Sequence, residues 1–429
     1  MHRLVYNILF YLAVPLIIVR LYLRSLRAPA YRKRIDERFA LAALPPQFDS
    51  SKQTLWIHAV SVGETVAAAP LVQALQQRYP AAQILITTMT PTGSDRVRSL
   101  FADRVFHSYL PYDLPGAVNR FIRRVNPALL ILMETELWPN LIHGCHQRGV
   151  RLILANARLS EKSAQGYGRF AGPIRKMLQQ IDRIAAQAEA DARRLIALGA
   201  RAEAVSVTGS LKFLVEIPEQ NLASNPVFES VRASGRNVLI AASTRDGEEV
   251  KVLSAFQRCL QTHPSLLLLL VPRHPERFGR VVKQCEDAGL STMRRSTNQP
   301  ITSDTQVLVG DSMGEMIDYF RLATIAFVGG SLVDTGCQNV LEPAALGLPV
   351  ITGPSQFNFA SICARMEQAG ALRTVQDSNG LAEFVIALLG DHDKQLAMGA
   401  AGKALLQANQ NTLPALMQII DEVLAGEHS

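Results

Sequence analysis

The 429-residue sequence predicts an α/β protein made of two doubly wound domains in tandem, preceded by an apolar N-terminal helix. Three observations carry this prediction. Short apolar runs alternate with helix-patterned stretches along most of the chain. The alternation breaks once, over residues 215–235, and then restarts. An uncharged stretch stands beside a basic cluster at the N-terminus.

The N-terminal stretch comes first. Leu4–Val19 (LVYNILFYLAVPLIIV) contains no charged residue. As a helix it would be about 24 Å long, short of a ~30 Å hydrocarbon core, and Pro15 can kink it. Residues 1–22 are therefore read as a membrane anchor. A span with Arg3 and Arg20 snorkelling, a shallow interfacial insertion and a docked structural helix all remain open. A secretory signal fits poorly, because the positive charge follows the apolar run and basic residues come directly after Ala28-Pro29-Ala30. The basic side points to the cytoplasmic face of a membrane and to anionic lipids as partners. Residues 1–40 hold eight basic and two acidic side chains, so +6 of the net charge of +7 lies there and only +1 remains for residues 41–429. That distribution argues against nucleic acid as a partner. The five cysteines, Cys145, Cys259, Cys285, Cys337 and Cys363, are scattered and suggest neither zinc nor a disulfide framework.

The first domain is drawn over residues 23–213. TLWIHAV, QILITTM, RVFHSYLP, ALLILME, RLILANA, RIAAQA and AVSVTG read as strands, with helices such as TVAAAPLVQALQQRYP between them. Unbroken apolar strands alternating with helices imply a parallel sheet covered on both faces. Residues 214–235 read as a linker, rich in Pro, Asn and Ser. The second domain, 236–429, resumes with NVLIAAST, SLLLLLVPRHP, QVLVGD, IAFVGGS and LPVITGP and ends in helix. Ligands of such sheets bind beyond the carboxyl ends of the strands. Two sheets facing across a cleft would place a site between them. The chain has no G-x-G-x-x-G after the first strand, no P-loop and no G-x-S-x-G elbow.

Several candidate residues lie at strand ends. Ser61-Val-Gly-Glu64 is a capping-box pattern, and Glu64 is equally placed to be a carboxylate aimed at a reacting proton. Glu134 and Glu136 follow an apolar strand, where a solvated surface is unexpected. Arg273 follows another strand and suits a phosphate. Met313, Gly314 and Glu315 open one helix. Asn339 to Glu342 open another, whose free N–H groups and dipole favour phosphate. Turn chemistry for Gly314 and Gly336, and first-turn acids for Glu315 and Glu342, are the plainer readings.

SVGET, TTMTPTG, YLPYDLP, METELWPNLI, ANARLS, GSLKF, VPRHPERF, GDSMGEM and FVGGSLVDTGCQNVLEPAALGLPVITGP together resemble the Kdo transferases of lipopolysaccharide synthesis. The likeness runs from APAYRKR to beyond residue 370. It implies a GT-B-type glycosyltransferase with two Rossmann-like domains, an acceptor-binding one followed by a nucleotide-sugar-binding one. It also implies inverting transfer of 3-deoxy-D-manno-octulosonic acid (Kdo) from CMP-Kdo to a lipid A precursor, lipid IVA. In the resemblance Glu64 is the general base, and Glu134 and Lys212 assist the transition state. Pro272, Arg273, Met313, Gly314, Glu315, Asn339, Val340, Leu341 and Glu342 would hold CMP. Arg158 is a further candidate for an anionic group of the substrate. The chain departs from the family's usual Gly-Gly-His-Asn at Gly336-Cys337-Gln338-Asn339, so the role of that His has no counterpart here. No Asp-x-Asp pair ends a strand, and neither a metal nor any other cofactor is expected. Two rivals stay open: a GT-B transferase or epimerase using a UDP-sugar, and a membrane-tethered nucleotide-binding scaffold without chemistry.

Overall fold

A computed structural model describes residues 2–27, 29–215, 217 and 225–426. Ala28 of the cleavage-like triplet and residues 216 and 218–224 of the expected linker lie outside the described residues. The chain divides into two compact units: Met1–Lys212 with Asn409–Ser429, and Phe213–Ala408.

Unit 1 is a seven-stranded parallel sheet formed by β1 (Thr54–His58), β2 (Gln83–Thr88), β3 (Phe106–Tyr109), β4 (Leu129–Met133), β5 (Arg151–Ala157), β6 (Arg183–Ala186) and β7 (Val205–Val207), in the order β3-β2-β1-β4-β5-β6-β7. Every residue of β1, β2 and β4 is buried, as helices on both faces require. The order reverses between β1 and β4, which is where ligands bind in such sheets.

Unit 2 repeats the architecture with β8 (Val238–Thr244), β9 (Leu267–Pro272), β10 (Thr292–Arg294), β11 (Val307–Val309), β12 (Ile325–Val328), β13 (Val350–Thr352) and β14 (Leu372–Thr374), in the order β10-β11-β9-β8-β12-β13-β14. The sequence reading missed β10 and β14. Each has three residues and stands at a sheet edge, too short to show a pattern.

Two boundaries differ from expectation. The helix Thr412–Ala425, assigned by sequence to the second domain, belongs to unit 1. It buries Leu416, Ile419, Ile420 and Val423. Its Asp421 pairs with Arg78 at 3.3 Å, and its Glu422 pairs with Arg183 at 2.6 Å. The expected linker 214–235 contains a helix, Pro226–Ala233. Asn225 caps it, accepting from the Val227 N–H at 3.0 Å, and it buries Val227, Phe228 and Val231. Pro at the first helical position after an Asn cap is a start signal that the Pro-rich composition concealed.

The N-terminal helix α1 runs His2–Arg27, through Pro15 and past the expected anchor. It is the one described helix long and apolar enough to cross a membrane. It also docks. Phe10, Val14, Ile17 and Leu21 pack on the unit 1 core, one residue per turn along its length. Its opposite side is apolar and open, with Leu12 and Leu16 69% and 72% exposed.

Candidate active site

Glu64 lies in the first turn of the helix Val62–Arg78, directly beyond β1. Of the two readings of the S-V-G-E motif, the structure shows the helix cap. Ser61 caps the helix, accepting weakly from the Glu64 N–H at 3.4 Å. The carboxylate folds back: Oε1 accepts from the Ser61 hydroxyl at 2.8 Å, and Oε2 from the Val60 N–H at 2.7 Å. These bonds aim the group, yet it remains only 8% exposed. Burial therefore raises its pKa above the ordinary carboxylate value. The two hydrogen bonds oppose the rise, the Glu134 charge adds to it, and the Lys212 charge opposes it.

Glu134 follows the last residue of β4, the strand beside β1. It holds a left-handed backbone, φ 57°, which a side chain other than glycine adopts at a cost of about 1–3 kcal/mol. Its N–H still donates to the Ala155 carbonyl at 2.9 Å, so the ladder with β5 continues while the side chain turns away. The carboxylate pairs with Lys212. Lys212 sits in the short 3-10 turn Leu211–Phe213 beyond β7. That turn is tied to the sheet by Asn156, whose side-chain oxygen accepts from the Leu211 N–H at 3.1 Å. Asn156 is also left-handed, φ 55°, and buried. Sequence reasoning missed it, since its part rests on a contact 55 residues away.

Glu136 completes the group. Burial and the charges of Glu64 and Glu134 push its pKa up to about 7. Arg158 follows β5 with its side chain exposed, and its backbone N–H donates to the Thr135 hydroxyl at 3.2 Å. The candidates of unit 1 thus gather at the carboxyl ends of β1, β4, β5 and β7.

In unit 2, a cavity of about 270 Å³ opens at the carboxyl ends of β8, β9, β11 and β12. Of the nine expected nucleotide-binding residues, Pro272, Arg273, Met313, Gly314, Asn339 and Glu342 line it, together with Ser243, Ser312, Tyr319 and Gln338. Glu315, Val340 and Leu341 do not. Glu315 turns to Arg295 at 2.6 Å, and the side chains of Val340 and Leu341 fill the core. The helix beyond Asn339 has only five residues, Leu341–Ala345, and the Asn339 side chain already accepts from the Leu341 N–H at 3.1 Å. The expected helix dipole is correspondingly small.

Burial raises the Glu342 pKa, with the Asn339 hydrogen bond and the Arg273 charge opposing. Cys337 is buried, its sulfur 3.7 Å from that of Cys363, and does not line the cavity. Gln338 does. Glu248 was not foreseen. Fully buried, it accepts from the N–H groups of Arg245, Gly330, Ser331 and Leu332 at 2.6–3.1 Å and so fixes the loop after β12. Gly330 fits there with φ 77°; a Cβ would meet the Gly336 carbonyl at 2.5 Å.

A larger hollow, about 400 Å³, lies at the amino ends of β5, β6 and β7 in unit 1, lined by Arg151, Arg183, Arg201, Asp182 and Glu203 among others. Its charges pair locally, Arg151 with Asp182 at 3.5 Å, and no expected site residue lines it.

The model of the family described as 3-deoxy-D-manno-octulosonic-acid transferase (kdotransferase) matches residues 33–215. The 3-deoxy-D-manno-octulosonic acid transferase of Haemophilus influenzae is 42% identical over 428 residues, 99% of each chain. That of Bordetella pertussis is 39% identical, covering 84% of this chain and 86% of its own. The solved structure of Acinetobacter baumannii MurG shares the fold alone, with a TM-score of 0.54 and 12% identity over 86% of this chain and 99% of its own. With a relative this similar along nearly its whole length, the chain belongs to the Kdo transferase family and is a glycosyltransferase of GT-B fold.

Proposed function

We propose that the protein moves Kdo from CMP-Kdo to a lipid A precursor, lipid IVA, with inversion at the anomeric carbon and with Glu64 as the general base. The observation that carries this reading is the buried, doubly anchored Glu64 carboxylate held near the Glu134–Lys212 pair. The acceptor hydroxyl oxygen bonds to the anomeric carbon. The carbon–oxygen bond to the CMP phosphate breaks, and its electron pair leaves on CMP. The hydroxyl proton passes to a Glu64 oxygen, each of which keeps a free lone pair beside the hydrogen bond it accepts. Burial serves the step, because a carboxylate with a raised pKa is a stronger base. Lys212, steered by Glu134, would meet the Kdo carboxylate or the leaving phosphate.

Unit 2 would hold the nucleotide. Arg273, exposed at the end of β9, suits the single phosphate; Glu342, oriented by Asn339 at 2.9 Å, suits the ribose hydroxyls. Unit 1 would receive the acceptor, and Arg158 would face its anionic groups. The setting we infer is the cytoplasmic face of the inner membrane. There α1 would lie on the surface with its open apolar side in lipid, and Arg3, Arg20, Arg24, Arg32 and Lys33, all exposed, would face anionic headgroups.

The test is incubation of the purified protein with lipid IVA and a CMP-Kdo-generating mixture. A product heavier by one or more Kdo units, with CMP released, is expected. No product, together with turnover of a UDP-sugar, would overturn the reading.

A further inference from the structure

The segment Glu134–Trp138 connects β4 to the helix Pro139–His146 and carries both Glu134 and Glu136. Its first end is fixed to the sheet through the Glu134 N–H. Its second end is fixed by Asp113, a buried carboxylate from the loop after β3. Asp113 accepts from the N–H groups of Asn140 and Leu141 at 2.9 and 2.8 Å. The Asn140 side-chain amide donates to the Asp113 carbonyl at 2.6 Å. Two further bonds reach this knot, and both come from α1. The Tyr6 hydroxyl donates to Asp113 at 3.0 Å, and the Asn7 side-chain oxygen accepts from the Asn140 amide at 2.8 Å.

Tyr6 and Asn7 are notable for where they stand. Leu4–Val19 is otherwise free of hydrogen-bonding side chains except Tyr11, which is exposed. A helix that served only as a greasy tether would have no use for an amide facing its own protein. An amide there without a partner would cost about 1–3 kcal/mol. The packed residues Phe10, Val14, Ile17 and Leu21 continue the same stripe, so α1 meets unit 1 as a rigid rod whose polar end touches the knot.

We propose that Tyr6 and Asn7 are positioning residues, which latch the lipid-facing helix to the segment bearing Glu134 and Glu136 and thereby couple seating of α1 on an anionic membrane surface to alignment of the active site. They touch no reacting atom. They act through Asp113 and Asn140 on the far end of a five-residue segment, where Leu137 and Trp138 also pack on the unit 1 core. Where α1 is pressed on the bilayer, its latch would hold the segment in the arrangement seen here. Where α1 loosens, Asp113 would lose one donor and Asn140 one acceptor. The activity arm of this proposal rests on the transfer reading above; its structural arm does not.

The experiment uses the full chain and the variants Tyr6→Phe, Asn7→Ala and the double variant. Tyr6→Phe keeps the ring and removes one hydroxyl, so it tests the bond even if the double variant folds poorly. The structural arm is acrylamide quenching of tryptophan emission, with and without vesicles containing anionic phospholipid. Only two tryptophans are present. Trp56 is fully buried, whereas Trp138 ends the segment and is partly exposed, so quenching reads Trp138. Vesicles should lower quenching in the wild type. In Tyr6→Phe quenching should rise in solution and respond to vesicles less than half as much. The activity arm is kcat and KM for CMP-Kdo on bilayer-embedded acceptor. A three- to tenfold loss of kcat with KM unchanged is expected, because the nucleotide residues lie in the other unit. Unchanged quenching and kcat in both single variants, with wild-type vesicle flotation, would overturn the latch. A wild type that transfers nothing would sink the transfer reading alone, and the quenching arm would still decide the latch.

Discussion

Both units set seven parallel strands between helices, yet they arm the carboxyl ends of those strands in opposite ways. Unit 1 leaves charges in conflict. The Glu134 charge raises the pKa of both Glu64 and Glu136, Glu64 raises that of Glu136 as well, and a single lysine is paired with Glu134. Unit 2 settles its charges. Glu248 is saturated by four backbone N–H groups, Glu249 is matched by Arg277 at 2.7 Å, and the cavity walls are mostly apolar or amide. Crowded buried carboxylates cost stability and supply reactivity; a saturated one supplies a rigid mould. Under the proposed function chemistry falls to unit 1 and recognition to unit 2, a division that variants with effects crossing that line would break.

The largest expected effect is that of Glu64→Gln. Glutamine keeps the size and the bond from the Val60 N–H but cannot take the proton. Turnover should fall by ~10²–10⁴, while calorimetric CMP affinity stays within experimental error of wild type. Near-normal turnover would reduce Glu64 to a helix cap. A parallel loss of CMP affinity would break the division between the units.

Next come Arg273→Ala and Glu342→Ala. Each should weaken CMP binding by ~1.5–3 kcal/mol, because a charge-assisted bond is lost. Turnover at saturating donor should stay near wild type. Unchanged CMP affinity in both, measured by calorimetry on folded protein, would place the nucleotide elsewhere.

The parts of the molecule that could be read from sequence are those in which the pattern is local. β4 is a run of apolar residues ending abruptly in acid, so strand and candidate site were visible together. Pro272, Arg273, Met313, Gly314, Asn339 and Glu342 were named from motifs and do line one cavity. What escaped was non-local. Asn156 serves Lys212 only because a left-handed turn brings it under Leu211, and Glu248 meets a loop more than 80 residues away. The Thr412–Ala425 helix carries the same apolar stripe whichever unit receives it; Arg78 and Arg183 decide, and nothing nearby in sequence announces them. The docking of α1 was hidden for a related reason. A helix apolar all round gives no sign of which side faces protein, and only Tyr6 and Asn7 mark it.

The smallest expected effect sharpens the comparison, because it measures the conflict in unit 1 directly. Glu136 titrates near 7 in the folded protein, against an ordinary value of 4.5. Between those values the folded protein holds a proton that the unfolded chain has released. The stabilising contribution of this group is therefore complete below about pH 4.5 and is lost as pH rises through 7. Above 7 the charged side chain persists against burial and two neighbouring carboxylates. Glu136→Gln keeps the shape and removes the charge. It should change unfolding free energy little at pH 5 and raise it by about 1–2 kcal/mol at pH 8, a conversion discounted for partial exposure. Urea unfolding at the two pH values reads the difference. Equal changes in stability at both pH values would mean that burial and the neighbouring carboxylates do not act on Glu136. The contrast between the two units would then lie in the shape of their sites and not in their charge.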